Sequence, residues 1–267
     1  LRTDQRRRPG AKPERKHIAP AGSELLFGRN AVAEALRGRR THQKLIVAEG
    51  VKWDARMQEI RQTAESAGLA LDIVPRQLLD DEMRGARHQG VALVTSAYPY
   101  IDGDALISNG WSILVLDHIQ DPQNVGSLLR AAEAFGVRGV ALPRDRSAAI
   151  TPAVVNASAG AVEHLHVAQV TNVGRLLEQM KSSGYWIVGL DNDERAQSLE
   201  SLSVPLPFGL VVGSEGKGMA QSTASRCDFL ARIDQIGSIE SLNAAIAGSI
   251  ALFWLTQSAR LAKVAGK

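Results

Sequence analysis

Three features of the 267-residue sequence predict an α/β protein with a mainly parallel sheet, preceded by a smaller α/β unit. Apolar runs of strand length alternate with helix-length segments. The strand runs of the second half are apolar throughout rather than at every other residue, as in strands covered on both faces. Between the halves, residues 97–110 carry Pro99, Gly103 and Gly110 and read as a connector. The composition, 45% hydrophobic and 22% charged, suits a buried core and excludes disorder over most of the length. No membrane partner is expected, because the most apolar stretch, Ala244 to Leu255, contains Ser249 and is too short to span a bilayer.

The first unit is expected over residues 25–96. Arg29 to Leu36 reads as a short helix and Lys44 to Val47 as a strand. Arg56 to Ala67 reads as a helix with Met57 and Ile60 on one side, ended by Gly68. Leu71 to Val74 and Val91 to Val94 are strand-like, and Pro75 to Arg84 between them is helical. In the connector, Asp104 to Ser108 has the length of one helical turn. The second unit, 111–267, opens with the strand Ser112 to Leu116, which runs into Asp117. A helix from Pro122 to Phe135 follows, with Asp121 as cap, and Val137 to Leu142 gives the next strand. Asn172 to Ser182 is a helix, Tyr185 to Leu190 and Phe208 to Val212 are strands, and Leu242 to Gln257 is a long final helix. That helix has apolar residues on more than one stripe, so one set, Trp254 among it, is left for a partner.

Charge is unevenly distributed. Residues 1–19 hold seven basic groups against two acids, while the rest holds 24 against 26. The segment 1–24 therefore reads as a basic, disordered tail that either contacts a polyanion or merely solubilises the chain. It lacks an apolar segment and does not read as a signal peptide. Arg37, Arg39, Arg40 and Lys44 cluster near a helix end and read either as phosphate contacts or as an ordinary solvated turn. Cys227 is the sole cysteine, which excludes a disulfide scaffold and points to a reducing, cytoplasmic setting.

Polar residues with chemical interest lie where strands end. Asn124 and Arg130 stand six residues apart, about 600° along a helix, and share no face. Arg130 is the only charged group from Ser127 to Ala132, and reads as either a solvent-facing arginine or a ligand group. Leu210 to Met219 runs an apolar strand into Gly213-Ser-Glu-Gly216-Lys-Gly218, a loop permitting close backbone approach, with the carboxylate of Glu215 in its middle. It is neither a Walker A loop nor a dinucleotide fingerprint. Ser241 and Asn243 stand before the final helix, where either can cap it. His118, His164 and His166 form no metal-ligand pattern, so no metal is expected, and His118 alone reads as a satisfied loop residue. No G-x-S-x-G elbow supports a serine hydrolase.

On these three groups the sequence resembles the SpoU-type, or TrmH-like, RNA 2′-O-ribose methyltransferases. The family's first motif, an asparagine six residues before an arginine in a helix ending Phe-Gly, matches Asn124, Arg130 and Phe135-Gly136. Its second matches the Gly213 loop with Glu215. Its third, Ile-Pro-Met-x-Gly then Ser-Leu-Asn-Val-Ser-Val-Ala, appears as Ile233-Asp-Gln-Ile-Gly237 then Ser241-Leu-Asn243-Ala-Ala-Ile-Ala247. The stretch from Ala157 to Val167 is also similar, and Phe27 to Leu36 resembles the start of the family's N-terminal substrate-binding domain. Asp234, Gln235, Ala244 and Ala245 depart from the pattern and imply a less rigid cofactor loop.

The resemblance implies a knotted methyltransferase, with a C-terminal deep trefoil knot behind a small α/β RNA-binding domain. It implies S-adenosyl-L-methionine as methyl donor, held at Gly213, Ile233 and Leu242, with no metal. Arg130, Asn124, Glu215, Ser241 and Asn243 are the implied catalytic set, and a homodimer with active sites near its interface is implied too. The expected substrate is structured RNA, namely a guanosine of large-subunit (23S-type) ribosomal RNA, because a distinct N-terminal domain marks those relatives. The alternatives are a transfer-RNA 2′-O-methyltransferase and a non-catalytic RNA-binding ribosome-assembly factor. A nucleotide-dependent oxidoreductase fails on the missing fingerprint.

Overall fold

A computed structural model describes residues 18–193, 195–216, 218–238 and 241–265. Most of the basic tail, residues 1–17, and Lys217 of the glycine-rich loop lie outside the described residues.

The first unit is a four-stranded sheet of β1 (Glu24–Phe27), β2 (His42–Ala48), β3 (Ala70–Val74) and β4 (Val91–Thr95), in the order β1-β4-β2-β3. β4 runs antiparallel to β1 and β2, while β2 and β3 are parallel. The inner position of β4 follows from its sequence, VALVT, every residue of which is buried. Helices α1 (Arg29–Leu36) and α2 (Ala55–Ser66) cover one face through Val32, Met57 and Ile60. Helix α3 (Arg76–Met83) covers the other through Leu79. Asp54 caps α2 by accepting from the Met57 N–H at 3.1 Å. β1 was not expected: four residues ending at Gly28 are too few for periodicity to register.

The second unit has β5 (Ile113–Asp117), β6 (Gly139–Pro143), β7 (His166–Val170), β8 (Trp186–Leu190), β9 (Gln197–Ser198), β10 (Phe208–Gly213) and β11 (Phe229–Arg232). They form one parallel sheet in the order β7-β6-β5-β10-β8-β11-β9. Successive residues of each central strand face opposite cores. Leu114, Leu116, Leu210 and Val212 pack under α5 (Pro122–Ala134), α6 (Pro152–Ala157) and α9 (Ala244–Ala265). Ile113, Val115 and Val211 pack under α4 (Gly103–Ser108) and α7 (Val173–Ser182), near the short α8 (Gln221–Ala224). A Cβ on Gly248 would lie 2.4 Å from Leu128 Cδ2, so only glycine lets α9 cross α5 this closely. β5 borders both β6 and β10, where the strand order reverses, and such switch points are where open α/β sheets bind ligands.

Several expectations need correction. The connector 97–110 is built into the larger unit, since Ile101 bridges to Ala168 and Leu106 of α4 is fully buried. A cut before Trp111 would therefore strip part of that core. The basic cluster near α1 is not a phosphate surface. Arg37 pairs with Glu34 and Glu59, and Lys44 with Asp72. Arg39 bonds the Leu165 carbonyl and His166. The Arg40 guanidinium, 0% exposed, reaches both oxygens of Glu163 at 3.0 Å and Glu24 at 2.5 Å, and lies over the Tyr98 ring. The Leu165 carbonyl, His166 and Glu163 belong to the second unit, which no local reading of charge reveals. Trp254 is half-buried against the core rather than presented to a partner; Ile246, Ile250, Phe253 and Leu261 are exposed large apolar residues of α9. Among the described residues no helix is long and apolar enough to cross a membrane.

Two outcomes follow from this packing. Arg40→Ala leaves the Glu163 carboxylate buried without its cation and should destabilise the protein by about 3–5 kcal/mol, read from the urea midpoint. Cys227 is half-buried and its thiol is pushed up to about 12, chiefly by burial and then by the charge of Asp228. It should react with a disulfide reagent at pH 8 more than about a hundredfold slower in the native chain than in urea.

Candidate active site

At the carboxyl ends of β5, β10 and β8 three loops meet. Gly213 lies beside Asp117, and Val212 beside Leu190, so the three strands release their loops at one level. Asp121 caps α5 by accepting from the Gln123 N–H at 3.0 Å, which fixes the helix's first turn there. Asn124, in that turn, is 8% exposed and turned inward. Its Nδ2 donates to Glu215 Oε1 at 2.7 Å. Asn243 Nδ2 lies 2.5 Å from the same oxygen and 3.0 Å from Asn124 Oδ1.

Asn243 also caps α9. Its Oδ1 accepts from the N–H groups of Ala245 at 2.9 Å and Ile246 at 3.2 Å. One amide thus performs the capping role and the site role together. Glu215 Oε1 takes two amide donors, while Oε2 has no partner among the described residues and is left for a ligand. The loop carrying Glu215 is closed by mutual backbone bonds between Ser214 and Gly218, at 3.1 and 2.9 Å. A Cβ on Gly213 would stand 2.3 Å from the backbone of Gly218 and Met219, so the loop doubles back only over glycine.

The loops after β8 and β10, with Ile233, Gln235 and Ser241 to Ala244 from the segment leading into α9, enclose a cleft of about 470 Å³. Gly213, Ile233 and Leu242, the expected cofactor positions, line it with Glu215, Ser241 and Asn243. Leu190, Val212 and Ala247 supply apolar wall, and Asp191, Asn192 and Gln235 supply polar groups. The size lies in the usual range for a small-molecule site. Gln235 Oε1 is buried without a hydrogen-bond partner among the described residues, an acceptor open to a donor from a ligand. An apolar slot edged by carboxylate and carboxamide acceptors fits a nucleoside bearing an amino-acid arm.

Arg130 stands apart. It is exposed, touches none of the other four polar residues, and has no hydrogen bond or salt bridge among the described residues. Six residues carry it about 9 Å along α5 and onto another face. The structure therefore unites Asn124, Glu215 and Asn243 by direct bonds, sets Ser241 in the same cleft, and leaves Arg130 on the surface. The departures at the third motif are not slack. Ser198 and Arg232 hydrogen-bond Asp234 and hold its carboxyl below the usual range, and Ala244 lines the cleft directly.

Sequence reading missed three contributors. Gln235 was noted only as a departure. Asp117, 1% exposed, braces the loops by accepting from the Ala220 N–H at 3.1 Å and binding His118 Nδ1 at 2.6 Å. An acid closing an otherwise apolar strand was the available signal. His118 is no ordinary loop residue, for its backbone sits at φ 62. Among the described residues no group of three or more His, Cys, Asp or Glu is arranged to hold a metal.

Comparison with known proteins agrees with this geometry. Residues 112–253 match the SpoU rRNA methylase family, and residues 25–101 match the RNA 2′-O ribose methyltransferase substrate-binding domain. The chain is 38% identical over 237 residues to YacO of Bacillus subtilis, described as a TrmH-family tRNA/rRNA methyltransferase, covering 86% of this chain and 94% of that one. The fold is shared with AviRb of Streptomyces viridochromogenes, a SpoU methyltransferase solved with AdoMet, at a TM-score of 0.75 and 22% identity over 91% of this chain and 92% of that one. A TrmH-family protein of Porphyromonas gingivalis aligns at 0.69 and 26% over 88% of this chain and 90% of that one. With the cleft at the ends of β8 and β10, these matches define an S-adenosylmethionine-dependent RNA methyltransferase. This chain belongs to the SpoU/TrmH family of RNA 2′-O-ribose methyltransferases.

Gly213→Val should drive a side chain into the Gly218–Met219 backbone. Calorimetry should show S-adenosylmethionine affinity falling roughly tenfold or more, with the far-ultraviolet circular dichroism retained.

Proposed function

We propose that this protein transfers the methyl group of S-adenosylmethionine to a ribose 2′-hydroxyl in large-subunit ribosomal RNA, on a guanosine, in the cytoplasm. The observation that carries the reading is the Asn124–Glu215–Asn243 cluster at the cleft, held in bonding contact from three distant segments. An assembled cluster favours turnover over a binding-only assembly factor. A separate substrate-binding unit, braced to the catalytic one through Arg40 and Tyr98, favours the ribosomal-RNA enzymes over the transfer-RNA ones.

S-adenosylmethionine, when bound, supplies an activated methyl on a positively charged sulfur and leaves as a neutral thioether. A ribose hydroxyl is a weak nucleophile, so this chain must align it and help its proton leave. Gly213, Ile233 and Leu242 hold the cofactor, and Gln235 Oε1 accepts one of its N–H groups. Asn124 and Asn243 fix Glu215 so that its Oε2 faces the reactants, and Ser241 bonds the substrate side. Arg130 stabilises the developing alkoxide, in contact with an RNA phosphate.

Arg130 reaches such a site in a homodimer. Ile246, Ile250 and Phe253 form an exposed apolar stripe at i, i+4 and i+7 on α9, with the Phe135 ring 5.5 Å from that of Phe253. Helix α5, which carries Arg130, packs beside it. A second copy that covers this stripe brings α5 toward a neighbouring cleft. The trefoil knot belongs to the same reading. β11 pairs outside β8, yet the chain then returns past Leu190 and Gly213 to start α9 against β10, a path that supports threading. In the first unit, Lys52, Arg76 and Arg87 replace the α1 cluster as phosphate contacts. They line one groove of about 530 Å³ and carry no side-chain hydrogen bond or salt bridge among the described residues.

Mapping 2′-O-methyl positions in cells with and without the gene tests the substrate: one large-subunit site should vanish, and loss of a transfer-RNA methyl alone would refute the choice. Arg130→Ala should lower methyl transfer by about a hundredfold or more while S-adenosylmethionine still binds. Light scattering should give twice the 28.6 kDa chain mass, and Phe253→Glu should yield monomer with much reduced activity.

A further inference from the structure

A second cavity, of about 590 Å³, opens on the other side of the Glu215 loop and shares Ser214, Glu215 and Gly218 with the cofactor cleft. Methyl transfer between two bound molecules requires two adjoining spaces with the reacting atoms meeting at their common wall. Glu215 stands in that wall, and Asn124, bonded to it, faces the second cavity. Ile119 and Met219, 2% and 7% exposed, give the cavity an apolar floor. A flat heteroaromatic ring packs well on such a floor.

The rim is polar and held in uncommon conformations. Of the five non-glycine residues with positive φ among the described residues, two, His118 at 62 and Arg146 at 55, line this one cavity. Such conformations persist only where surrounding contacts impose them. At His118 the imposing contact is Asp117, whose buried carboxylate lies 2.6 Å from Nδ1. A carboxylate can only accept, so Nδ1 carries a proton, and the tautomer with that single proton presents the Nε2 lone pair. Nε2 has no partner among the described residues. Arg146 is exposed, its backbone carbonyl lies 3.5 Å from Gln120 Nε2, and its guanidinium meets no carboxylate among the described residues. An apolar floor, a fixed acceptor and a free guanidinium match a nucleotide's ring, ring N–H and phosphate.

We propose that this cavity receives the RNA nucleotide whose ribose is methylated, with Arg146 on its phosphate and the His118 Nε2 accepting a base N–H. The assignment rests on the methyl-transfer reading above. Seated this way, the ribose lies against Asn124 and Glu215, across the wall from the cofactor. His118 and Arg146 are positioning residues.

The test uses the full chain, tritiated S-adenosylmethionine and an in vitro transcript of large-subunit ribosomal RNA. Arg146→Ala should raise KM for the transcript roughly tenfold, more than it lowers kcat, and flatten the salt dependence of RNA binding. Arg146→Lys should recover part of the loss. His118→Asn, chosen because asparagine tolerates positive φ, should also raise KM for the transcript. Calorimetry should show S-adenosylmethionine affinity at the wild-type value in all three, which also reports that they fold. Wild-type KM and salt slope in the alanine and asparagine variants, beside an active wild-type chain, would overturn the cavity assignment. So would a fall in cofactor affinity that tracks the rise in KM. A wild-type chain that binds S-adenosylmethionine yet methylates no RNA overturns the parent reading, and this one with it.

Discussion

One carboxylate oxygen fixes the geometry of the whole site. Glu215 Oε1 receives amide donors from Asn124 and Asn243, residues 91 and 28 positions away in the chain. Hydrogen bonds to an ionised acceptor are stronger than neutral ones, and these two use groups that also start helices. Asn124 lies in the first turn of α5 and Asn243 caps α9. Moving Glu215 would therefore disturb two helix starts, the glycine loop and the cleft at once. Asp117 adds a second brace from below, tying the end of β5 to the loop's exit at Ala220. Both braces act at the strand ends because the parallel sheet gathers its loops there.

The same logic of buried polar contacts joins the two units. Arg40 reaches across to Glu163, and Tyr98 OH lies 2.6 Å from the Leu165 carbonyl. Burial pushes the Glu163 carboxyl upward, and the Arg40 guanidinium opposes that shift. Such a pair adds little beyond what apolar residues of similar volume would give, but each half is costly without the other. It ties the first unit to the second at a defined point.

Apolar surface is distributed with equal economy. The sheet's two faces are closed by helices, and the aliphatic groups left exposed on α9 form a stripe rather than a scatter. Ile246, Ile250 and Phe253 are exposed beside α5, the helix that carries Arg130, and the proposed homodimer would cover them. The single chain gathers Asn124, Glu215, Ser241 and Asn243 at one place and leaves Arg130 outside it.

The α/β class, the parallel second sheet and the limits of α1, α2, α5 and α7 were legible from sequence to within a residue or two, because long apolar periods and caps are local signals. Of the eight site residues named from sequence, seven line the cleft or the cavity beside it and Arg130 does not, since the glycine loop and the Ser241–Asn243 start carry strong local chemistry. Short strands such as β1, β9 and β11 were not legible, because two to four residues hold no period. The basic cluster left two readings open: Arg39 and Arg40 meet partners more than 120 residues away, and a cluster in sequence says nothing about who neutralises it in space. Only the folded chain decided that Asn243 both caps and bonds, that Arg130 faces outward while Asn124 faces in, and that His118 is locked against Asp117. Sequence by itself determined which groups are present and which segments carry them; long-range packing determined which of those groups meet, because pairing depends on distances that the chain sets only once it has closed.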